Sequence, residues 1–159
     1  MRDDDAMLRL GKGITGFRHG REPQLPEVPV RRFRGACHEA ARAAGGTVER
    51  VTERAYPANF HSAVIVTPAG RSAILCNAVH PWIAFVEENT GDVADPGTFL
   101  DPPPWAAAFS AADFGVLGRT VLDSPLDTAD TTALGKGEWL QIHSWRPETV
   151  GRTVFNSWD

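Results

Sequence analysis

Residues 60–88, FHSAVIVTPAGRSAILCNAVHPWIAFVEE, hold the densest run of Val, Ile, Leu, Phe and Trp in the chain. The first eight residues carry apolar side chains at both alternating positions, which is typical of a strand covered on both faces. The segment TPAG at 67–70 is a turn signal, because Pro presets φ at the second position and Gly is favoured at the fourth. Pro81 interrupts the later part, since proline cannot donate to a strand ladder. We therefore predict an antiparallel meander with strands at 60–67, 72–79 and 82–87.

The flanking sequence adds a helix before the meander and helical pieces after it. Residues 30–44 have apolar side chains at near-helical spacing, and Gly45-Gly46 is a C-terminal cap signal. The other expected elements are a strand at 47–54, a loop at 88–104, a short helix from Pro104, strands at 120–122 and 138–145, and a helix at 147–158 for which a strand stays open. The expected fold class is α+β, with one N-terminal helix packed on a mostly antiparallel sheet of four to five strands and short C-terminal helical segments.

The first 28 residues differ in pattern from the rest. They contain several glycines and prolines and no sustained apolar period, so we predict a flexible or loosely docked N-terminal arm at 1–28 and a single α+β domain at 29–159. The start is acidic where a signal peptide would be basic, and no apolar run reaches the ~18 residues of a membrane span. We therefore expect a cytoplasmic protein that does not bind membranes.

Charge and composition limit the classes of partner. The net charge of −4 argues against a nucleic-acid binder, which needs clustered Lys and Arg, and suits a basic protein partner better. The two cysteines have no zinc-site spacing, and the N-terminal glycines do not stand between a strand and a helix as in a phosphate loop. We expect no cofactor and no metal site, and the sequence leaves the oligomeric state open.

Cys37 is the candidate nucleophile. A thiol in the first turn of a helix has a lowered pKa, because the positive end of the helix dipole favours the thiolate. Cys37 would occupy such a position if its helix restarted near Gly35, which is a poor helix former. The alternative interpretation of this residue is a buried core cysteine.

His61 and Asn77 are candidates for the groups that would activate this thiol. If the hairpin pairs Thr67 with Arg71, His61 faces Asn77 across neighbouring strands, close enough for an amide to orient an imidazole. A register slip of one residue would place His61 opposite Cys76 instead.

The order Cys37, His61, Asn77 resembles the core of the transglutaminase and papain-like superfamily, in which a helix-borne Cys precedes a strand His and then an Asp or Asn on the neighbouring strand. The resemblance covers Gly35-Ala36-Cys37, His61 and Asn77. It implies a thiolate at Cys37, a general base at His61, an orienting role for Asn77, and activity as a thiol-dependent hydrolase or acyltransferase.

An acidic stretch follows the meander and lies between two tryptophans. Its spacing lacks the alternating ligands of a calcium loop, so an acidic surface is the simpler interpretation. The five tryptophans of the chain exceed what a small core usually needs, and aromatic side chains anchor interfaces as well as cores. The predicted partner surface comprises Trp82, Glu87, Glu88, Asp92, Asp95 and Trp105.

The function we expect is binding of another protein, without catalysis. A small acidic bacterial protein of the cytosol fits the kind represented by immunity proteins, which neutralise toxins. The thiol-dependent enzyme described above is one alternative. A small-ligand module with a Trp-lined pocket is the other.

Overall fold

The computed structural model describes residues 8–18, 20–88 and 96–158 of the chain. The helices of this part are α1 (Val30–Ala44), α2 (Ala107–Ala111), α3 (Arg119–Leu122), α4 (Lys136–Trp145) and α5 (Val150–Val154). The strands are β1 (Thr47–Thr52), β2 (Phe60–Thr67), β3 (Gly70–Asn77), β4 (Trp82–Val86), β5 (Phe99–Leu100) and β6 (Gly115–Val116). Short 3-10 turns lie at Pro104–Ala106 and Leu126–Thr128.

The sheet runs in chain order, β1-β2-β3-β4-β5, with antiparallel neighbours, and β6 lies parallel to β4. Ala63, Val64 and Ile65 of β2 are all buried, because both faces of this central strand are covered. The predicted α+β class, with a helix before a mostly antiparallel sheet, is confirmed. The sequence does not predict β5 or β6, since strands of two residues are too short to show an alternating pattern.

Helix α1 covers one face of the sheet. It buries the face that carries Phe33, Ala36 and Cys37, and it continues without a break through the exposed Gly35. Gly45 ends the helix at φ 70°, and the next N–H donates to the carbonyl of Ala41 at 2.8 Å. Side chains from α2 and the segment after it complete this layer.

The opposite face carries a second layer, made of the N-terminal segment and helices α3 to α5. Leu10 and Ile14 have no exposed surface and join Leu122, Ile142 and Val154 in one cluster. Of the predicted arm at 1–28 the structure describes 8–18 and 20–28, and Leu10 donates its N–H to the carbonyl of Asp130 at 2.9 Å. The sheet therefore lies between two packed layers.

The predicted strand at 138–145 is wrong, since these residues lie in α4. In a strand, Leu140 and Ile142 would lie on the same face, and this spacing leads to the prediction. In a helix, residues two apart point in nearly opposite directions, and Ile142 is buried while Leu140 is 59% exposed. The predicted strand at 120–122 is likewise helical. The expected helix at 147–158 is confirmed over Val150–Val154, which Thr149 caps by accepting from the N–H of Arg152.

Candidate functional site: the solvent-facing side of helix α4

His61 and Asn77 do not face each other. Thr67 pairs with Gly70, so His61 lies opposite Cys76 and Asn77 lies opposite Phe60. The expected pairing of His61 with Asn77 is wrong, because the loop between the strands contains two residues, one fewer than that pairing requires. The two side chains point to opposite faces of the sheet.

Hydrogen bonds within the fold occupy both side chains. The N–H of Arg54 donates to His61 Nδ1 at 3.0 Å, and Nε2 lies 2.8 Å from the carbonyl oxygen of Val28. On the opposite face, Asn77 Nδ2 donates to the carbonyl oxygens of Ile14 and Val154, each at 2.8 Å. These contacts tie the sheet to its neighbours, and the amide of Asn77 does not orient His61.

Cys37 lies in the interior of α1, because the helix does not restart at Gly35. Its side chain is fully buried, and burial raises the pKa of the thiol to about 12, an effect that the nearby Arg34 only partly offsets. Burial also raises the pKa of Cys76, and the neighbouring Cys37 raises it further. The fold therefore favours the thiol over the thiolate at neutral pH.

The predicted partner surface is divided between the two faces of the sheet. Trp82 packs against the layer that contains α5, whereas Trp105 meets Phe85 edge-on at 5.4 Å on the side of α1. Glu87 is exposed, while Glu88 is half-buried. Asp92 and Asp95 lie outside the described residues. The structure thus does not bring Trp82 and Trp105 together.

Glu88 belongs to a network of ion pairs. Arg71 donates to Glu88 at 2.8 Å and to Glu49 at 2.6 Å, and Arg50 also reaches Glu88 at 3.3 Å. Hydrogen bonds from Arg71 hold the pKa of both glutamates below its usual range. The negative charge of Glu88 is therefore largely matched within the chain.

Helix α4 presents large apolar side chains to solvent. Leu140 is 59% exposed, Trp145 is 46% exposed and Trp139 is 36% exposed. Leu140 is followed a turn later by the exposed Ser144, while the opposite side of the helix buries Glu138 and Ile142. Sequence reasoning missed this surface because it treated the segment as a strand. Helical spacing alone would not have found it, because that pattern assigns the apolar Trp139 and Leu140 to the core and the charged Glu138 to solvent, the reverse of the observed burial.

Glu138 fixes the position of α4. This buried carboxylate accepts from the N–H groups of Gly13 at 2.8 Å, Thr15 at 2.9 Å and Gly135 at 3.1 Å, and from the Thr15 hydroxyl at 2.6 Å. Hydrogen bonds to a charged acceptor are strong in a buried site. They hold the first turn of α4 on the N-terminal segment, so the helix is anchored on one side and exposed on the other.

Two cavities flank α4. The Trp139 groove has a volume of about 520 Å³ and is lined chiefly by Pro125, Leu126, Asp127, Ala129, Trp139 and Glu148. The Trp145 cleft has a volume of about 420 Å³ and includes Arg146, Arg152 and the stacked pair Trp145 and Trp158, whose ring centroids lie 6.3 Å apart. Residues 125–158 supply α4 and most of the lining of both cavities, and Pro96 completes the Trp145 cleft.

Comparison with protein-family models, with curated protein sequences and with solved structures found no match. No helix in the described part of the chain is long and apolar enough to cross a membrane. Across residues 8–18, 20–88 and 96–158, no group of three or more His, Cys, Asp or Glu side chains is placed to hold a metal ion.

Proposed function

We propose that the protein binds another protein through the solvent-facing side of α4, and that this binding neutralises the partner in the manner of immunity proteins. The observation that supports the proposal is the exposure of Trp139, Leu140 and Trp145 on a single helix of ten residues. Trp139 and Leu140 are adjacent on the solvent-facing side, and Trp145 adds exposed apolar surface at the end of the helix; single exposed apolar residues are common, but larger exposed apolar areas mark interaction surfaces. Tryptophan is also the residue most enriched among the energetic centres of interfaces.

The energetic reason is the cost of leaving this surface in water. Leu140 exposes on the order of 100 Å² of apolar area, so covering it would contribute roughly 2.5 kcal/mol at ~25 cal/mol per Å². Trp139 and Trp145 add comparable areas. A partner that covers α4 gains this free energy without unfolding any part of the chain, because the anchoring side of the helix is already packed.

The alternative thiol enzyme has less support. Its nucleophile would be the buried Cys37, with a pKa raised to about 12, and its His61 already uses both ring nitrogens within the fold. A nucleophilic cysteine needs a thiolate near neutral pH and a free base beside it. We therefore keep protein binding as the functional proposal.

The test is affinity measurement with three forms of the tagged protein: wild type, Leu140→Gln and Glu87→Lys. Partner is first captured from the native host with wild type and then titrated against each form. Glutamine keeps the helix propensity of α4 but removes the apolar contact, so Leu140→Gln should weaken binding by ~10-fold or more. Glu87→Lys reverses the charge of the exposed carboxylate in the surface predicted from sequence, and it should leave the affinity unchanged.

The two substitutions separate the two surfaces. Unchanged affinity of Leu140→Gln, together with loss of binding by Glu87→Lys, would refute the α4 surface and favour the acidic surface around Glu87. Far-UV circular dichroism and thermal unfolding of both forms control for misfolding. Both positions are exposed, so neither change should alter the fold.

A further inference from the structure

We infer that the Trp139 groove binds an arginine side chain of the partner protein. This inference rests on the proposed function and specifies the chemistry of the partner at one part of the α4 surface. The groove combines an apolar lining with two carboxylates, from Asp127 and Glu148, and no Lys, Arg or His of the described chain lines it. Asp127 and Glu148 make the groove negative, and Glu148 also borders the Trp145 cleft, which holds Arg146 and Arg152. The complementary occupant of the groove is a cation with an apolar stem.

The two carboxylates are available for a partner. Asp127 and Glu148 are both exposed, and neither side chain has an ion pair or hydrogen bond to another residue of the described chain. Elsewhere, acidic side chains such as Glu22, Glu49 and Glu88 already pair with basic residues of the chain. The groove thus keeps negative charge that the fold itself does not use.

The walls of the groove are held in place by backbone contacts. The N–H of Leu126 donates to the carbonyl of Glu148 at 3.3 Å, and the N–H of Val150 donates to the carbonyl of Ser124 at 2.9 Å. Pro125 and Thr149 form an antiparallel bridge between the same two segments. A site whose walls are fixed before binding loses little conformational entropy when the partner arrives.

Arginine fits this groove better than lysine does. A guanidinium is planar and can lie against the indole face of Trp139 while its N–H groups donate to carboxylates in a fork. Its three methylene groups can contact Leu126 and Ala129, which line the same cavity. An ammonium is a strongly hydrated point charge and cannot stack in this way.

The test uses a matched pair of blocked peptides, acetyl-Gly-Leu-Arg-Leu-Gly-amide and the same peptide with citrulline in place of arginine. Citrulline keeps the shape of the side chain but carries no charge. Each peptide is titrated into ¹⁵N-labelled full-length protein, and the indole N–H signal of Trp139 is followed after assignment with Trp139→Phe. The arginine peptide should shift this signal with a millimolar dissociation constant, and the citrulline peptide should bind ~10-fold more weakly.

The double variant Asp127→Asn, Glu148→Gln should weaken the arginine peptide by a similar ~10-fold factor, whereas the control Glu87→Gln should not change it. Equal binding of the two peptides would overturn the inference, and so would unchanged binding by the double variant. A concentration-dependent dimer in sedimentation velocity that the double variant loses would also overturn it, since the occupant would then be a second copy of the chain.

The captured partner separates the inference from the proposed function. If Leu140→Gln loses the partner while the double variant retains it at full affinity, the arginine inference fails and the α4 surface stands. If Leu140→Gln retains the partner, the proposed function fails, and the peptide titration still decides whether the groove binds a guanidinium. The inference predicts that both variants bind the partner less tightly than wild type does.

Discussion

Replacing Glu138 by glutamine should destabilise the protein by about 3 kcal/mol, because the site is built for an acceptor only. The carboxylate accepts from the N–H groups of Gly13 and Gly135 through Oε1, and from the N–H and hydroxyl of Thr15 through Oε2. Glutamine has nearly the same shape but places an NH₂ group at one of these two oxygen positions. Donors would then face donors in a buried site.

The expected destabilisation follows from the more favourable of the two ways in which the glutamine amide can be placed. With NH₂ at the Oε2 position, the Thr15 hydroxyl can turn to accept, which leaves only the N–H of Thr15 unpaired. One buried unpaired donor costs about 1–3 kcal/mol, and the loss of charge from the remaining bonds adds about 1 kcal/mol. For a chain of this size, a change of about 3 kcal/mol lowers the melting temperature by about 6–12 °C.

Equilibrium urea unfolding measures the change in the free energy of unfolding, and hydrogen exchange locates it. The amide of Thr15 should exchange faster in Glu138→Gln, since it loses the bond that protects it, whereas the amide of Gly13 keeps an oxygen acceptor. The control is Glu148→Gln, which removes an exposed carboxylate next to the same helix and should leave stability within ~0.5 kcal/mol of wild type. A similarly small effect of Glu138→Gln, with unchanged exchange of the Thr15 amide, would refute the reasoning.

Three further predictions concern stability. Burial raises the pKa of Cys37 from 9.0 to about 12, so the fold favours the protonated thiol and loses stability as pH rises from about 9 towards 12. Cys37→Ala should lessen that loss when urea unfolding is measured across this pH range. A steeper loss of stability in the variant would contradict the prediction. Gly35→Ala should stabilise α1 by about 0.5–1 kcal/mol, because open space surrounds the site. Gly46→Ala should instead destabilise the protein by about 1–3 kcal/mol, because the added Cβ would meet a carbonyl oxygen of β2. Equal melting temperatures of the two variants would count against this prediction. Arg71→Gln should lower the melting temperature at low salt, and its difference from wild type should shrink near 1 M salt, which screens the ion pairs. The difference should also shrink as pH falls below about 4.5, because Arg71 holds the pKa of its two glutamate partners below the usual range. A difference in melting temperature that is independent of salt and pH would contradict the prediction.

The sequence predicts correctly those parts of the fold in which the spacing of apolar residues matches the pattern of burial. Helix α1 buries one stripe, and β2 is covered on both faces, so each leaves a clear local pattern. Helix α4 leaves a misleading pattern, because Leu140 and Ile142 have the two-residue spacing of a strand face but lie on opposite sides of the helix. Its buried residue Glu138 is stabilised by Gly13 and Thr15, which are more than 120 positions away in the sequence.

The predicted pairing of His61 with Asn77 is wrong for a reason of geometry that residue types alone do not reveal. Whether Thr67 pairs with Gly70 or with Arg71 depends on the conformation of a short turn, and this one-residue difference decides whether His61 faces Asn77. Trp82 can be assigned to a face by its position in a strand. The face on which Trp105 packs depends on the path of the chain after β4, which the sequence does not specify.

The most direct test of the α4 surface is site-specific photocrosslinking in the native host. A benzophenone amino acid placed at Leu140 should give a discrete adduct with one partner, and excess wild-type protein should suppress the adduct while excess Leu140→Gln should not. The same probe at Glu87 should give no such adduct. An adduct at Glu87 with none at Leu140 would contradict the proposal that α4 binds the partner.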